Sequence, residues 1–600
     1  MKSIHYFFIF AVIVFICPMF LPEYQVTLFN YIGLNALVVL GLILLTGVGG
    51  MTSFGQAALV GIGAYTTAYL TATDQLPSYL TLIDGSAWIA LLVGIVITVV
   101  SAFIVGGLTL KLSGHYLPLG TIAWGISLYY FFSTLESLGG HSGIANIPSI
   151  SIFGYGLDTG NKMYYLIWFI VLIAIVLTKN LLNSREGRAI RALKGGQVMA
   201  ESMGVNTFRS KMAVFIIASV FASISGWLYA HNQTFINPTP FSLQMGIDYL
   251  FMALLGGVGS VWGAILGSGI FTMMRQWLQD YLPIIFGSQG QYETIVFGLL
   301  IVALMQKAPT GLWPMLMKIM PKNLKPKDRH IQITDTTEKL AVHAMPSKGE
   351  VVLAAKEVTK KFGGLVANNK MSLQVHAGEI LALIGPNGAG KSTMFNQLSG
   401  VDTPTSGEVI FKGEKINGQL SRLIASKGLS RTFQHVKILP EMSVLENVAI
   451  GAHLRGLKGV FASLLHLDRA EENVLLNEAK YQLERVGLGD YLYSEAGSLA
   501  LGQQRILEIA RALCSDPCLL LLDEPAAGLR LKEKQALAVL LLKLKAEGMA
   551  ILLVEHDMDF VMNLVDHVVV MEFGEKIAEG LPEEIQKNPA VLEAYLGGVA

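Results

Sequence analysis

The feature that most constrains this chain is a series of long apolar stretches in its first half. Five windows contain no Lys, Arg, Asp or Glu: residues 24–73, 85–110, 163–178, 213–247 and 249–274. A helix needs about 20 apolar residues to cross the hydrocarbon core of a bilayer. Several windows reach that length, so residues 1–317 are predicted to form a polytopic α-helical membrane domain rather than a soluble one.

The apolar runs predict about nine membrane spans, at residues 6–21, 27–46, 56–73, 87–110, 115–134, 163–179, 212–231, 248–272 and 292–306. The first run follows Met1 and Lys2, as in a secretory signal peptide. No small-x-small cleavage site follows it, so we expect a membrane helix there. The glycine-rich stretches Gly47–Gly63 and Gly256–Gly267 suit either close helix packing or broken, re-entrant segments, and we expect close packing.

Basic residues indicate which loops face the cytoplasm. The longest loop, Lys179–Lys211, is rich in Lys and Arg, and so are residues 307–329. Cytoplasmic loops carry an excess of these residues, so both segments are predicted to be cytoplasmic. Residues 318–350 form a polar, proline-containing linker whose composition suggests flexibility, and a second domain follows at residues 351–600. The three cysteines have no metal or disulfide spacing, which is typical of a reducing compartment.

A glycine-rich loop follows an apolar run in this second domain. Leu381–Ile384 predicts a buried strand, and a helical pattern begins after the loop Gly385-Pro386-Asn387-Gly388-Ala389-Gly390-Lys391-Ser392-Thr393. This is the phosphate-binding pattern G-x-x-x-x-G-K-[ST] in its strand–loop–helix context. Backbone N–H groups and the helix N-terminus favour phosphate. Lys391 can reach the β- and γ-phosphates and Ser392 can bind Mg²⁺, so the loop predicts nucleotide binding.

Two further apolar strands end in polar residues suited to hydrolysis. Cys518–Leu522 leads directly into Asp523 and Glu524, and Ile551–Val554 leads to His556. Ligands of parallel sheets bind at the carboxyl ends of the strands. We expect Asp523 to bind Mg²⁺ and Glu524 to act as the general base on the attacking water. His556 is a second catalytic candidate, and Gln434, in Arg431-Thr-Phe-Gln434, can contact metal and water.

The order and spacing of these elements resemble those of ABC ATPases. The loop, Gln434, Leu499-Ala-Leu-Gly502-Gln503-Gln504-Arg505, the Asp523–Glu524 pair and His556 carry the resemblance, which covers about residues 351–600. It implies an α/β P-loop domain with an antiparallel subdomain near 351–380 and a helical subdomain near 440–510. It also implies that Phe362 stacks on adenine. Gly502 and Gln503 would face ATP bound by a partner subunit.

Two positions depart from the usual ABC pattern. Ala500 and Leu501 replace the Ser and first Gly of the usual Leu-Ser-Gly-Gly-Gln signature, and Arg530 stands where Asp or Asn is commoner. Ala500 has no group that can hydrogen-bond a γ-phosphate. The departures therefore concern the nucleotide site of the partner rather than the site built on Lys391.

Finer sequence features resemble importers of branched-chain amino acids. In the second domain these are Phe362-Gly-Gly, Arg431-Thr-Phe-Gln434 and Val554-Glu-His-Asp-Met558. In the membrane domain, Gly50–Tyr65, Gly187–Ala192 with Gly204, and Leu255–Gly263 resemble the permease subunits of the same importers. In importers a cytoplasmic loop presents a short helix to the ATPase. Residues 186–203 have the composition and the predicted orientation for that role.

The resemblance implies a fused permease and ATPase subunit of an ABC importer for branched-chain amino acids or close analogues. It implies ATP and Mg²⁺ as cofactors. The implied partners are a second permease subunit, a second ABC ATPase subunit and an extracytoplasmic solute-binding protein, and no nucleic acid is expected. The chain would be a multi-pass protein of a bacterial-type cytoplasmic membrane with its ATPase in the cytoplasm.

Two alternatives remain open at this point. Importers of urea or short-chain amides share this permease type. A membrane-tethered ABC ATPase that moves no solute is disfavoured, because about nine spans exceed what a tether needs. Intramembrane charge is scarce, which suits a neutral or zwitterionic solute in a cavity without a fixed counter-ion.

Overall fold

The first half of the chain folds mainly into helices, because a helix satisfies its backbone hydrogen bonds internally and can therefore bury apolar side chains in lipid. The computed structural model describes residues 2–72, 85–112, 114, 116–286, 292–320, 333–334 and 336–596. The chain divides into two units. The helical unit contains Met1–Asn183 and Phe208–His330, and the cassette unit contains Ser184–Thr207 and Ile331–Ala600.

The described helices of the first 320 residues are α1 (Lys2–Ile16), α2 (Glu23–Leu42), α3 (Gln56–Ala72), α4 (Ala87–Thr109), α5 (Tyr116–Thr134), α6 (Gly160–Leu182), α7 (Arg185–Ala192), α8 (Gln197–Ser202), α9 (Thr207–Gln233), α10 (Leu243–Gly256), α11 (Val261–Phe286), α12 (Tyr292–Lys307) and α13 (Leu312–Ile319). Two short antiparallel pairs lie between them, β1 (Ile144–Ala145) with β4 (Phe235–Ile236), and β2 (Ile150–Ile152) with β3 (Tyr155–Leu157). Helices α7 and α8 belong to the cassette unit.

Helices occupy the nine predicted span positions, but they differ in their ability to cross a membrane. Among the described residues, four stretches are long and apolar enough: Glu23–Val48, Ala87–Thr109, Gly160–Leu182 and Thr207–Gln233. The predicted span 248–272 is instead a pair of helices, Leu243–Gly256 and Val261–Ile285, bent by 118°. Shorter apolar helices occur at Phe7–Met19 and Ile295–Leu304. The number of spans in the whole chain stays a prediction.

The two glycine-rich stretches combine a helix break with close packing. After α2, a π-helical turn (Ile43–Val48) ends the helix, and the chain is not helical again until α3. A Cβ at Gly47 would lie 1.6 Å from the carbonyl oxygen of Val258, and one at Gly267 would lie 1.9 Å from that of Met252. Both contacts require glycine. Close packing and a broken segment were therefore compatible rather than alternative.

The cassette unit has two sheets. The helices are α14 (Lys391–Leu398), α15 (Ser421–Ala425), α16 (Val444–Ala449), α17 (Val460–Leu464), α18 (Arg469–Arg485), α19 (Leu501–Leu513), α20 (Leu531–Ala546), α21 (Met558–Met562), α22 (Pro582–Gln586) and α23 (Pro589–Leu596). The strands are β5 (Val351–Phe362), β6 (Leu365–His376), β7 (Ile380–Ile384), β8 (Ser406–Phe411), β9 (Glu414–Lys415), β10 (Leu429–Arg431), β11 (Leu519–Asp523), β12 (Ala550–Val554), β13 (His567–Glu572) and β14 (Glu575–Gly580).

The larger sheet has the order β10-β11-β12-β7-β13-β14, and all neighbours are parallel except β13 and β14. Strands β7, β11 and β12 are completely buried, as their unbroken apolar sequences predict. The smaller sheet is antiparallel, with the order β6-β5-β8-β9. Helices α16, α18 and α19 enclose a separate apolar core that corresponds to the predicted helical subdomain. The α/β fold class is confirmed.

Part of the predicted linker lies against the cassette. Thr334 and Asn473 of α18 exchange two hydrogen bonds between backbone and side-chain amide, with N···O distances of 2.9 and 2.6 Å. The Nδ1 atom of His343 lies 3.0 Å from the carbonyl oxygen of Asp516. Residues 321–332 and 335 lie outside the described residues. The described part of residues 333–350 is thus held on the cassette surface by specific hydrogen bonds.

Candidate functional site

The candidate site lies at the edge of the larger sheet where β7, β11 and β12 end. Asp523 pairs with Val554, and Val554 pairs with Leu383, so the three strands end at the same level. The glycine-rich loop follows β7 directly, Asp523 ends β11 and is followed by Glu524, and His556 lies two residues after β12. Parallel strands thus bring together groups that are far apart in the sequence.

The glycine-rich loop has a backbone that only glycine adopts without strain. Gly388 and Gly390 have φ angles of 83° and 98°, in the left-handed region. A Cβ at Gly390 would lie 2.3 Å from the carbonyl oxygen of Ala367, so this position also needs glycine for space. Asn368 of β6 donates to the carbonyl oxygen of Gly390 at 3.1 Å and accepts from Gln397 at 3.0 Å. These bonds fix the loop between β6 and α14.

The loop presents a concave backbone with polar side chains at its end. Asn387, Gly388 and Ser392 are exposed, Pro386 and Thr393 are half-buried, and Ala389 is buried. Lys391 is buried, and its Nζ donates to the carbonyl oxygens of Gly385 and Pro386 at 2.7 and 2.9 Å. Burial lowers the pKa of Lys391, while the nearby Glu524 and Asp523 carboxylates oppose that shift. The ammonium group of Lys391 thus lies at the loop where the phosphates of a nucleotide would bind.

Asp523 has the properties of a cation ligand. Its side chain is buried, and its Oδ1 atom makes no hydrogen bond with the described residues. Burial raises the pKa of Asp523, and the buried Arg431 opposes this increase. A buried carboxylate oxygen without a partner is costly unless a cation or donor binds it. Oxygen ligands of this kind fit Mg²⁺, which usually takes only one or two protein oxygens and completes its shell with phosphate and water.

Glu524 is held by two side chains that the sequence also predicts for this site. Its Oε1 atom lies 2.6 Å from Nε2 of His556 and accepts a hydrogen bond from Nε2 of Gln434 at 3.1 Å. The residue has a φ angle of 48°, which is unfavourable for a non-glycine side chain. Strained backbone of this kind is characteristic of functional sites. The structure therefore brings Lys391, Asp523, Glu524, Gln434 and His556 to one sheet edge.

Three other predicted residues lie elsewhere in the cassette unit. Gly502 and Gln503 are at the start of α19 beside Glu533, where a Cβ on Gly502 would lie 2.8 Å from the Glu533 carboxylate. They line a separate cavity of about 310 Å³. Phe362 ends β5 and is 51% exposed, with the Nζ atom of Lys360 5.0 Å from the centre of its ring. An exposed aromatic ring on the smaller sheet is free to stack on a base.

Comparison with known proteins identifies both halves. Residues 24–305 match the family described as branched-chain amino acid transport system / permease component, and residues 368–527 match the ABC transporter family. Residues 575–600 match the family described as branched-chain amino acid ATP-binding cassette transporter. The high-affinity branched-chain amino acid transport ATP-binding protein BraF of Pseudomonas aeruginosa is 43% identical over 41% of this chain and 98% of its own length. The chain belongs to the branched-chain amino acid ABC transporter family.

A second ATP-binding protein agrees with this assignment. The corresponding ATP-binding protein LivG of Escherichia coli is 42% identical, again over 41% of this chain and 98% of its own length. A solved ATP-binding cassette of an ABC transporter in its ADP conformation is 34% identical, covers 41% of this chain and 99% of its own, and has a TM-score of 0.38. The chain is a membrane protein that joins a permease domain to an ATP-binding ABC ATPase domain.

Two residues of this ABC transporter site have no role predicted from the sequence. Glu555 is buried and accepts hydrogen bonds from the backbone N–H groups of Ala526 and His556, at 2.5 and 3.0 Å. It therefore ties the turn after Glu524 to the end of β12. The position of Glu555 directly after the apolar run of β12 is the sequence signal that could have indicated a role in the site. Arg431 is buried against Asn396 and Ser399, and burial lowers its pKa to about 10.

A second candidate functional surface of the cassette unit is formed by residues 184–207, which we call the coupling segment after the role predicted for it. Arg188 and Glu472 of α18 form an ion pair in which both side chains are only 2% exposed. A second hydrogen bond joins Nη2 of Arg188 to Oε2 of Glu472 at 3.0 Å, which makes the contact bidentate. Arg191 pairs with Glu446 at 3.0 Å. Both glutamates belong to the helical subdomain.

The coupling segment also packs through apolar side chains. Ala189, Ala192, Met199, Met203 and Val205 are buried against Leu439, Met442 and Ile450, and Phe433 packs on the same cluster. Arg185 extends this contact by donating to the carbonyl oxygens of His453 and Lys458 at 2.7 and 2.6 Å. Burial, reinforced by Arg185 and Arg188, lowers the pKa of His453 to about 3. The segment is therefore an integral part of the cassette surface.

Proposed function

We propose that this chain is one half of an ATP-driven importer that moves branched-chain amino acids or close analogues across a bacterial-type cytoplasmic membrane. The observation that carries the proposal is the packing of the coupling segment on the ATPase. Residues 184–207 fall within the permease match yet belong to the cassette unit. A permease loop built into an ATPase surface is what conversion of hydrolysis into transport requires.

Different residues would bind the phosphates, the base and the metal ion of the nucleotide. The N–H groups of Gly385–Thr393 would surround the phosphates, Lys391 would leave the loop carbonyls to contact the β- and γ-phosphates, and Phe362 would stack on adenine. Ser392, Gln434 and Asp523 would hold Mg²⁺, which neutralises charge on the phosphates. The orphaned Oδ1 of Asp523 supports this assignment.

Glu524 would activate the attacking water. Its Oε1 atom contacts His556 and Gln434. These contacts leave the other carboxylate oxygen available to accept a proton from water. His556 would hold the Glu524 side chain in place and then contact the γ-phosphate when ATP binds. Gln434 would leave Glu524 and would itself contact the metal ion and water. These contacts support Glu524 as the general base and would hold its side chain until ATP and Mg²⁺ bind.

The position of Gly502 and Gln503 supports an assembly of two cassettes. These residues line their own cavity beside Glu533. In the proposed assembly they face ATP bound by a second ABC ATPase subunit, and that subunit's signature covers Lys391. A second permease subunit and an extracytoplasmic solute-binding protein complete the importer. The coupling segment then lies on the cytoplasmic side, together with the cassette.

The proposal is tested by uptake into proteoliposomes that contain this chain, its partner subunits and the solute-binding protein. We expect ATP-dependent uptake of labelled leucine and none of labelled urea, because the matched families carry branched-chain amino acids in their descriptions. The Glu524→Gln variant is the control, since it keeps the fold and removes the base. Urea uptake without leucine uptake would favour the amide importer. ATP hydrolysis with no uptake of either solute would favour a tethered ATPase.

A further inference from the structure

The helical unit contains a cavity of about 360 Å³ between α2, α10 and α11. Small-molecule sites in proteins usually range from about 300 to 1,000 Å³, so this volume suits a solute of amino-acid size. We call it the Arg275 cavity. Its walls are mostly apolar and aromatic, and the polar groups among the lining residues include Asn35, Thr272, Gln276 and Arg275.

Arg275 is the charged group on the wall of this cavity. Its side chain is 39% exposed, and it forms an ion pair with Asp248 of α10, which is 9% exposed, at 3.1 Å. Asp248 also accepts a hydrogen bond from Gln244 at 3.2 Å and is therefore fixed from its own helix. The hydrogen bonds of the described residues use one N–H group of Arg275. The guanidinium group of arginine carries several more in a planar fork, a geometry that matches a carboxylate.

Charged residues in the middle of apolar helices are costly and are usually functional. Asp248 separates two charge-free windows, residues 213–247 and 249–274, and Arg275 ends the second. They lie on α10 and α11, the two helices that meet at the 118° bend. Broken helices commonly form the solute sites of transporters. A pair that served only packing would not need a partly exposed guanidinium on the cavity wall.

We propose that the Arg275 cavity binds a zwitterionic, apolar amino acid, with Arg275 as the ligand of its α-carboxylate and Asp248 as the positioning residue. Tyr31, Tyr229 and Tyr249 also line the cavity and offer hydroxyl groups and ring faces to an α-ammonium group. Met245 and Met252 line it as well and suit a branched aliphatic side chain.

This inference rests on the proposed function and refines it. The sequence favoured a cavity without a fixed counter-ion, whereas the cavity in the structure contains one cation that is incompletely paired. An uncharged solute such as urea would not need this cation. A solute that lacks the carboxylate would leave the exposed guanidinium without its ligand, so the site discriminates against amides.

The test uses the full chain with its partner subunits in proteoliposomes and a cysteine placed in the cavity. Met245→Cys is introduced with Cys17→Ser; the other two cysteines, Cys514 and Cys518, are buried. The rate of maleimide modification is measured with leucine, leucinamide or isovalerate. We expect leucine to slow modification several-fold and leucinamide to have no effect at the same concentration. Equal protection by leucine and leucinamide would overturn the role of Arg275.

Variants of Arg275 then test whether this residue causes the protection by leucine. Arg275→Gln should raise the leucine concentration for half protection by about 10- to 100-fold, the usual effect of losing a hydrogen bond to a charged group. Arg275→Lys should retain part of the protection. The matched control is Lys162→Gln, which removes the 2.6 Å ion pair with Asp158 and does not touch the cavity. Unchanged protection in Arg275→Gln would refute the proposal.

The failure of the inference can be distinguished from failure of the proposed function. If the wild-type complex takes up leucine but leucine does not protect Met245→Cys, the cavity is not the solute site and the importer stands. If leucine protects Met245→Cys and no uptake is observed, the solute site stands and the import function fails. If the folding of Arg275→Gln is impaired, the comparison of leucine with leucinamide on Met245→Cys alone still decides the question.

Discussion

The ion pair between Arg188 and Glu472 allows a quantitative test of coupling. We consider Arg188→Met, which keeps an unbranched side chain of similar length and removes the charge. Both partners are only 2% exposed, so Glu472 would be left as a buried carboxylate with no cation opposite it. Removing one partner of a buried pair typically costs ~3–5 kcal/mol, because the remaining charge is uncompensated.

The expected magnitude follows from this free energy. Each ~1.4 kcal/mol changes an equilibrium tenfold, so the ratio of docked to undocked coupling segment should fall by roughly two to three and a half orders of magnitude. The apolar cluster around Met199 and Met442 remains and retains part of the docking. Hydrolytic residues are unchanged. We therefore expect basal ATPase activity within about twofold of wild type and leucine uptake reduced at least tenfold.

The assay measures leucine imported per ATP hydrolysed in proteoliposomes with all partner subunits. Two variants provide the controls. Arg191→Met removes the less buried pair with Glu446, whose side chains are 17% and 15% exposed, and should have a smaller effect. The double variant Arg188→Met/Glu472→Met should recover much of the ratio, since apolar replacement of a whole buried pair is often neutral or stabilising.

The recovery in the double variant separates coupling from simple damage. We attribute the loss of import in Arg188→Met to the buried Glu472 carboxylate that has lost its partner. Removing that carboxylate should therefore restore import. An unchanged ratio of transport to hydrolysis in Arg188→Met would refute the coupling role of the pair. A double variant as defective as the single variant would show that the charge itself, rather than its burial, is needed.

Three further predictions concern the cassette. Glu524→Gln should lower ATP turnover by ~10²–10⁴-fold and keep nucleotide binding, whereas Lys391→Ala should weaken binding itself; equilibrium binding of a fluorescent nucleotide separates the two. The purified chain alone should hydrolyse ATP weakly and be stimulated by a separate ATPase subunit, and Ala500→Ser should increase activity in the homodimer; a rate unaffected by any partner would contradict this. The folded-state pKa of His453, about 3, lies below the ordinary histidine value of 6.5, so protonation favours the unfolded state between these values. Stability is therefore fully present above pH 6.5 and should decrease as the pH falls below it. The thermal unfolding midpoint should follow this trend, and His453→Gln should weaken it.

The grouping of the candidate site residues could be predicted from the sequence because its signals are local. The loop and Asp523 follow apolar runs directly, His556 comes two residues after one, and parallel strands bring such ends to one edge. The register of β7, β11 and β12 agrees with this expectation. The left-handed backbone of Glu524 and the anchoring role of Glu555 could not be predicted, because both depend on how the turn packs between β11 and β12.

The sequence predicts the coupling segment but not the cassette residues that it contacts. The composition of residues 186–203 indicated a short helix, and α7 and α8 are there. The partner of Arg191, Glu446, lies 255 residues further along the chain, and the partner of Arg188, Glu472, lies 284 residues further. Nothing in the local sequence therefore indicates these pairs. The same limit applies to Arg275. Its charge was visible at the end of an apolar window, but only the packing of α11 against α10 and α2 places it on a cavity wall.

The coupling segment has a consequence for kinetics because it shares a polypeptide with the surface it packs against. When permease and ATPase are separate subunits, undocking can lead to dissociation, and recovery then depends on subunit concentration. Here the segment remains tethered, so re-docking is a first-order process at a high effective concentration. Dilution of the transporter should not deplete the docked state. Any variant that weakens docking should therefore produce the same defect at nanomolar and micromolar protein.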